Sequence, residues 1–165
     1  MMNSRLAVLL TFLGLGVLSP VVQAAKPPVR CPIDRATYSA IGKSEFELQF
    51  SAIENRESAL ESVSLSLQHR DRGMLGTYAI GQSNGYGVYY LRDLAKSIGE
   101  DSMAQLSPVF FDNNWGQVRD LPSRMGAPKY VFISGLGVSD WYSNRANNRT
   151  QPLGDVMWQF SGCRK

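Results

Sequence analysis

Two stretches of strict apolar–polar alternation constrain this chain more than anything else in it. Phe46, Leu48 and Phe50 are interleaved with Glu45, Glu47, Gln49 and Ser51, and Val63, Leu65 and Leu67 with Ser62, Ser64, Ser66 and Gln68. Apolar residues at every second position fall on one face of a strand but scatter around a helix. Both segments therefore read as strands with one buried and one wet face, as antiparallel sheets require. The charged stretch between them, 54–61, has no alternation and reads as a loop or one helical turn.

The same reading extends along the chain. Tyr78 and Ile80 precede Gln82-Ser83-Asn84-Gly85, and Tyr86 to Leu91 follow, which is a hairpin pattern because Asn-Gly supplies the positive φ angles of tight turns. Leu91, Leu94, Ala95 and Ile98 then fall at helical spacing, predicting a short helix that ends near Gly99, with a second helical turn possible over 102–106. Val109-Phe110-Phe111 returns to strand chemistry before the turn at 112–116. Tyr130 to Ile133 is a continuous apolar run, expected to be a central strand buried on both faces. Val138 to Tyr142 reads as a short extended piece, 143–152 as a polar loop, and Val156, Trp158 and Phe160 as one face of the last strand. About seven strands against one or two short helices, without strand–helix alternation, predict a mainly β fold, an antiparallel sandwich or small barrel.

The first residues belong to a different problem. Met1 to Arg5 carry one positive charge, Leu6 to Leu18 form a 13-residue uncharged run, and Val22-Gln23-Ala24 offers small residues around a cut after Ala24. This is the pattern of a secretory signal, and the run is too short to cross a hydrocarbon layer of roughly 30 Å. The expected organisation is a signal peptide over 1–24, an extended leader over 25–30 containing Pro27-Pro28, and one β-rich domain over 31–165. A periplasmic or extracellular location follows, with no membrane span after processing. Removing 1–24 takes away Arg5 and no acid, so 16 basic residues face 14 acidic ones and the net charge is +2. So small a surplus leaves no electrostatic footprint for nucleic acid.

Export gives the two cysteines a meaning. Cys31 opens the domain and Cys163 is third from the end, and an even pair in an oxidising compartment favours one bridge joining the ends. The alternative is two buried thiols. One histidine and two cysteines leave no set of ligands for a two-imidazole metal site, and neither a metal nor a cofactor is expected.

Few residues carry recognisable chemistry. Gly42-Lys43-Ser44 resembles the end of a phosphate loop, but Thr37 stands where the first glycine must turn the backbone. Asp112, Asn114 and Asp120 put oxygen ligands near one turn without the spacing of a calcium loop. His69-Arg70-Asp71 is the one place where imidazole and carboxylate adjoin, and with a hydroxyl such as Ser134 or Ser139 brought in by the fold it could serve a small hydrolase. Asn148-Arg149-Thr150 is a glycosylation sequon, relevant only in a host that modifies exported chains.

The most suggestive constellation is aromatic. Trp115 lies in a polar turn, and Trp141 and Tyr142 precede Arg145, Asn148 and Arg149. Flat rings give apolar area at low entropy cost, and amides and guanidinium groups add directional hydrogen bonds, as interfaces require. The sequence thus points to a non-enzymatic exported binding module contacting a protein or a glycan through these loops, one form being an inhibitor of an extracellular enzyme. The alternatives are the His69–Asp71 hydrolase and a structural accessory of the cell envelope.

Overall fold

The computed structural model describes residues 30–54, 61, 63–83, 87–96, 103–104, 106–121, 126–145 and 151–165. The expected signal peptide, the leader before Arg30, and Asn148 and Arg149 lie outside the described residues. A single 3-10 turn at Ile33–Arg35 leads into β1 (Ala36–Ala40), followed by β2 (Lys43–Ala52), β3 (Val63–His69), β4 (Gly73–Gln82) and β5 (Tyr89–Asp93). Then come β6 (Met103–Ala104), β7 (Ser107–Phe111), β8 (Gln117–Val118), β9 (Tyr130–Ser134), the one described helix α1 (Leu136–Asn144), and β10 (Met157–Cys163). The ten strands form one sheet in the order β6-β5-β4-β3-β2-β1-β10-β9-β7-β8, every neighbouring pair antiparallel.

The sheet curls into a half-barrel. Register shifts at Thr37/Tyr38, Ser39/Ala40 and Leu67/Gln68 add local twist to its middle strands. Its flanks are drawn together where Leu91 N–H donates to Leu106 O at 3.1 Å, Ser107 Oγ to Tyr89 O at 2.9 Å and the Tyr89 hydroxyl to Arg119 O at 2.8 Å. The concave face is the core. Phe46, Leu48 and Phe50 of β2, Leu65 of β3, Tyr38 of β1, Trp158 of β10 and Phe110 of β7 are all fully buried, as the alternation requires. Each such side chain contributes about 1.5–3 kcal/mol relative to exposure.

Cys31 and Cys163 are joined, with their Cα atoms 5.7 Å apart. The bond continues the β1–β10 pairing, in which Ala36 faces Cys163, so covalent and hydrogen-bonded closure reinforce each other. A structural disulfide points to a compartment outside the reducing cytosol. No helix among the described residues is long and apolar enough to cross a membrane.

Ten strands stand where about seven are expected, and four local expectations change, the first being the helical turn over 102–106, which holds the strand β6 paired with β5. The helix expected from Leu91 does not begin there: Leu91 faces Ile80 in the β4–β5 ladder, and Asp93 Oδ1 accepts the Ala95 N–H at 2.9 Å, turning the chain at the strand's end. Cross-strand burial of Leu91 overrides the local spacing; Ile98 lies outside the described residues. The Tyr130–Ile133 run is neither central nor buried on both faces, because only Val131 and Ile133 are buried and β9 lies toward one flank of the sheet. The extended piece expected at Val138–Tyr142 is helical. It follows Gly135, whose φ of 81° lets the chain leave β9 in a left-handed turn.

Candidate aromatic and polar site at the helix end of the half-barrel

Antiparallel order fixes which loops share an end. The β1–β2 and β3–β4 turns, the ends of β5 and β9, the start of β10 and helix α1 meet at one end; the disulfide, the start of β5 and the β7–β8 turn lie at the other. Of the large exposed apolar side chains described, Ile41, Met74, Leu94, Val138, Trp141 and Tyr142 are at the helix end, against Val88 and Trp115 at the opposite one. The exposed apolar side chains among the described residues are thus concentrated at the helix end.

Helix α1 is built inside out. Its buried residues are Leu136, Gly137, Asp140 and Asn144, two of them polar. Its outward face carries Val138, Trp141 and Tyr142, which are 55%, 50% and 59% exposed. With Arg145 they sit at i, i+3, i+4 and i+7, one stripe of a helix. The Trp141 and Tyr142 rings meet edge to face at 4.9 Å, and the Arg145 guanidinium lies 5.7 Å from the Tyr142 ring centre. Gly137 presses the helix onto the 151–155 segment so closely that a Cβ there would lie 2.2 Å from the Gly154 carbonyl. Beside this contact a shallow depression of about 230 Å³ opens, with Val138, Trp141 and Asp155 on its walls.

The polar inner face has partners. Arg72, in the β3–β4 turn, donates from Nη2 to Asp140 Oδ1 at 2.8 Å, and Asp140 Oδ2 accepts the Leu153 N–H at 2.7 Å. One carboxylate thus ties the helix to the sheet and to the segment before β10. Under the helix lies a partly enclosed cavity of about 180 Å³, whose polar wall includes Arg72, Tyr78, Ser139, Asp140 and Ser143. Burial raises the Tyr78 phenol above its ordinary pKa, and the Asp93 and Asp140 carboxylates push it the same way.

The other expected site residues fall elsewhere. Trp115, 58% exposed, is in the β7–β8 turn with φ at 64°, and its ring stacks flat on Tyr130 at 4.4 Å. Tyr130 begins β9 and α1 follows its end, so Trp115 and Trp141 are at opposite ends of the half-barrel and make no common surface. Asp112 Oδ1 accepts the N–H groups of Asn114 and Gly116 at 2.7 and 2.8 Å, which engages that carboxylate in shaping the turn. His69 is buried edge-on against Phe46, and its Nδ1 accepts the N–H groups of Asp71 and Arg72 at 3.0 and 3.2 Å. The ring proton is therefore on Nε2, and Asp71 reaches the imidazole through its amide rather than its carboxylate. No hydroxyl bonds to the ring among the described residues.

The chain matches no family model, no curated protein and no solved structure. The geometry alone therefore carries the functional reading.

The sequence reading missed Arg72, Asp140 and Val138. A signal for Val138 and Asp140 existed in the spacing of Val138, Trp141, Tyr142 and Arg145, legible once the polar residues between them are allowed to face inward; Arg72 left none.

Proposed function

We propose that the protein is an exported, non-enzymatic binding module that works outside the cytosol, in the periplasm or beyond the cell, and grips its partner with the outer face of α1. The observation that carries this reading is the inverted helix, with Val138, Trp141, Tyr142 and Arg145 facing water while Asp140 and Asn144 are buried. A helix that only completed a core would turn its apolar residues inward. Trp, Tyr and Arg are the residue types that dominate binding hot spots, and here their packing against one another holds them in place before contact. The disulfide and the 1–24 pattern support the location.

The test is capture of a partner from the extracytoplasmic fraction of the source cell. Replacing Trp141 and Tyr142 by Ala should weaken retention by at least about 30-fold, the effect of losing a hot spot worth about 2 kcal/mol. Trp115→Ala, at the far end, should leave it unchanged. Equal retention by all three proteins would reject the helix face as the binding surface.

A further inference from the structure

The chain's single histidine closes the turn that anchors α1. His69 is 5% exposed, and its Nδ1 accepts the Asp71 and Arg72 N–H groups at 3.0 and 3.2 Å, so a neutral ring holds the β3–β4 turn shut. Arg72 supplies one of those amides and also the guanidinium that binds Asp140 at 2.8 Å. A movement of its backbone therefore moves the anchor of the helix. Beyond Leu136 and Gly137 at its start, α1 buries only Asp140 and Asn144, both polar, so its hold on the sheet depends on polar contacts more than on an apolar stripe.

We propose that His69 makes the binding surface assigned above to α1, the reading on which this inference rests, release its partner in acid: a proton on Nδ1 opens the β3–β4 turn, and Arg72 then loosens its hold on Asp140. An imidazolium donates from both nitrogens and accepts at neither, so a protonated Nδ1 confronts two N–H donors. Histidine changes charge between about pH 5 and 8, so the turn is closed above that range and opens as pH falls through it. The charged groups around the ring favour the opening. Arg72 lies 5.3 Å from the centre of the Phe46 ring that His69 meets edge-on at 4.6 Å, so the new charge arrives beside a guanidinium. On the turn itself, Arg70 and Asp71 are exposed. From α1, Asp140 is engaged by Arg72 and Leu153, and from β5, Asp93 accepts from the Ala95 N–H. From β4 comes the Tyr78 phenol, which burial keeps protonated, and in β2 Glu45 and Glu47 alternate with Phe46 and so face the other side of the sheet. None of these carboxylates bonds to the ring.

The experiment reads amide hydrogen exchange of the disulfide-bonded protein, corrected for the intrinsic pH dependence of exchange, from about pH 7.5 to about pH 5, together with the His69 ring nitrogens by NMR. Protection of the Asp71, Arg72 and Leu153 amides and of α1 should fall at least about tenfold in step with protonation of Nδ1, because a ring freed to take its proton near pH 6.5 favours the open turn by about tenfold for each pH unit below that. Leu48 in β2 should keep its protection. His69→Asn retains an uncharged acceptor for N–H groups two and three residues on, so its turn and helix should ignore the same pH change. If that variant does not fold, the coincidence of Nδ1 protonation with lost protection in the unaltered protein decides. Partner retention should drop at least about tenfold over the same range. Unchanged protection in acid, a loss out of step with Nδ1, an equal loss in folded His69→Asn, or retention that ignores pH while the turn opens would each overturn the inference. Exchange is read without a partner, so its failure leaves the proposed function standing; capture indifferent to Trp141 and Tyr142 by a chain whose turn does open would instead reject that function, and with it a regulatory role for the turn.

Discussion

Arg72 and Asp140 form an ion pair at 2.8 Å between the β3–β4 turn and helix α1, with 11% and 3% of their side chains exposed. Such a pair is worth little against a well-packed apolar replacement but costs a great deal to break from one side, because the survivor is left charged and dry. Asp140→Ala also removes the acceptor of the Leu153 amide. The expected loss is about 3–5 kcal/mol in urea unfolding. The double variant Arg72→Met, Asp140→Leu should recover at least about 1 kcal/mol of it; a double variant as unstable as the single one would show that the Leu153 contact, not the stranded charge, sets the cost.

Joining residues 132 apart in sequence restricts the unfolded chain strongly, by about 4–5 kcal/mol in the chain-entropy treatment and usually somewhat less by measurement. Replacing both cysteines by Ser should lower unfolding free energy by about 2–5 kcal/mol. Because β1 and β10 stay paired through Tyr38–Phe160 and their neighbours, the circular dichroism of the surviving native state should keep its β signature. Loss of that signature under native conditions would mean that the disulfide, rather than the strand ladder, holds the ends.

The strands were legible wherever the core side alternates with polar residues, as in β2 and β3. They were less so in β1, where Ala36, Tyr38 and Ala40 face the core and two of the three are small. The terminal bond was legible because compartment and cysteine count suffice. Helix α1 was not, since apolar periodicity presumes that apolar residues face inward, and here Asp140 and Asn144 occupy those positions while Trp141 faces water. The Trp115 and Trp141 loops looked like one surface only because sequence carries no record of which end of a sheet a loop occupies. Arg72 had no local mark; its partner is 68 residues away.

Alkaline pH should unfold this protein through its buried phenols. Burial raises Tyr38, Tyr78 and Tyr89 above the ordinary tyrosine value of 10.0, with the Leu121 N–H partly offsetting the rise at Tyr89. Raised folded pKa values mean that the unfolded chain releases protons first, so the stability they contribute is intact below pH 10.0 and falls as pH climbs beyond it. Tyr38 also donates to Pro128 O at 2.8 Å. Tyr38→Phe should cost about 1 kcal/mol at neutral pH and make the alkaline decline shallower; an unchanged alkaline slope would assign the effect to the other phenols.

Trp115 holds a left-handed backbone that costs a non-glycine residue on the order of 1 kcal/mol, against a flat stack on Tyr130 worth about 0.5–1.5 kcal/mol. These two terms separate cleanly by substitution. Both Trp115→Ala and Trp115→Gly lose the ring, but glycine alone relaxes at φ 64°, so the glycine variant should be the more stable by about 1 kcal/mol. A cycle with Tyr130→Ala should give a coupling of about 1 kcal/mol. Trp141→Ala, whose ring is 50% exposed and meets Tyr142 edge to face, should change stability by less than about 0.5 kcal/mol while reducing partner capture. If Trp141→Ala proved as destabilising as breaking the Trp115–Tyr130 stack, its ring would be serving the fold, and the outer face of α1 would lose its claim to be a binding surface.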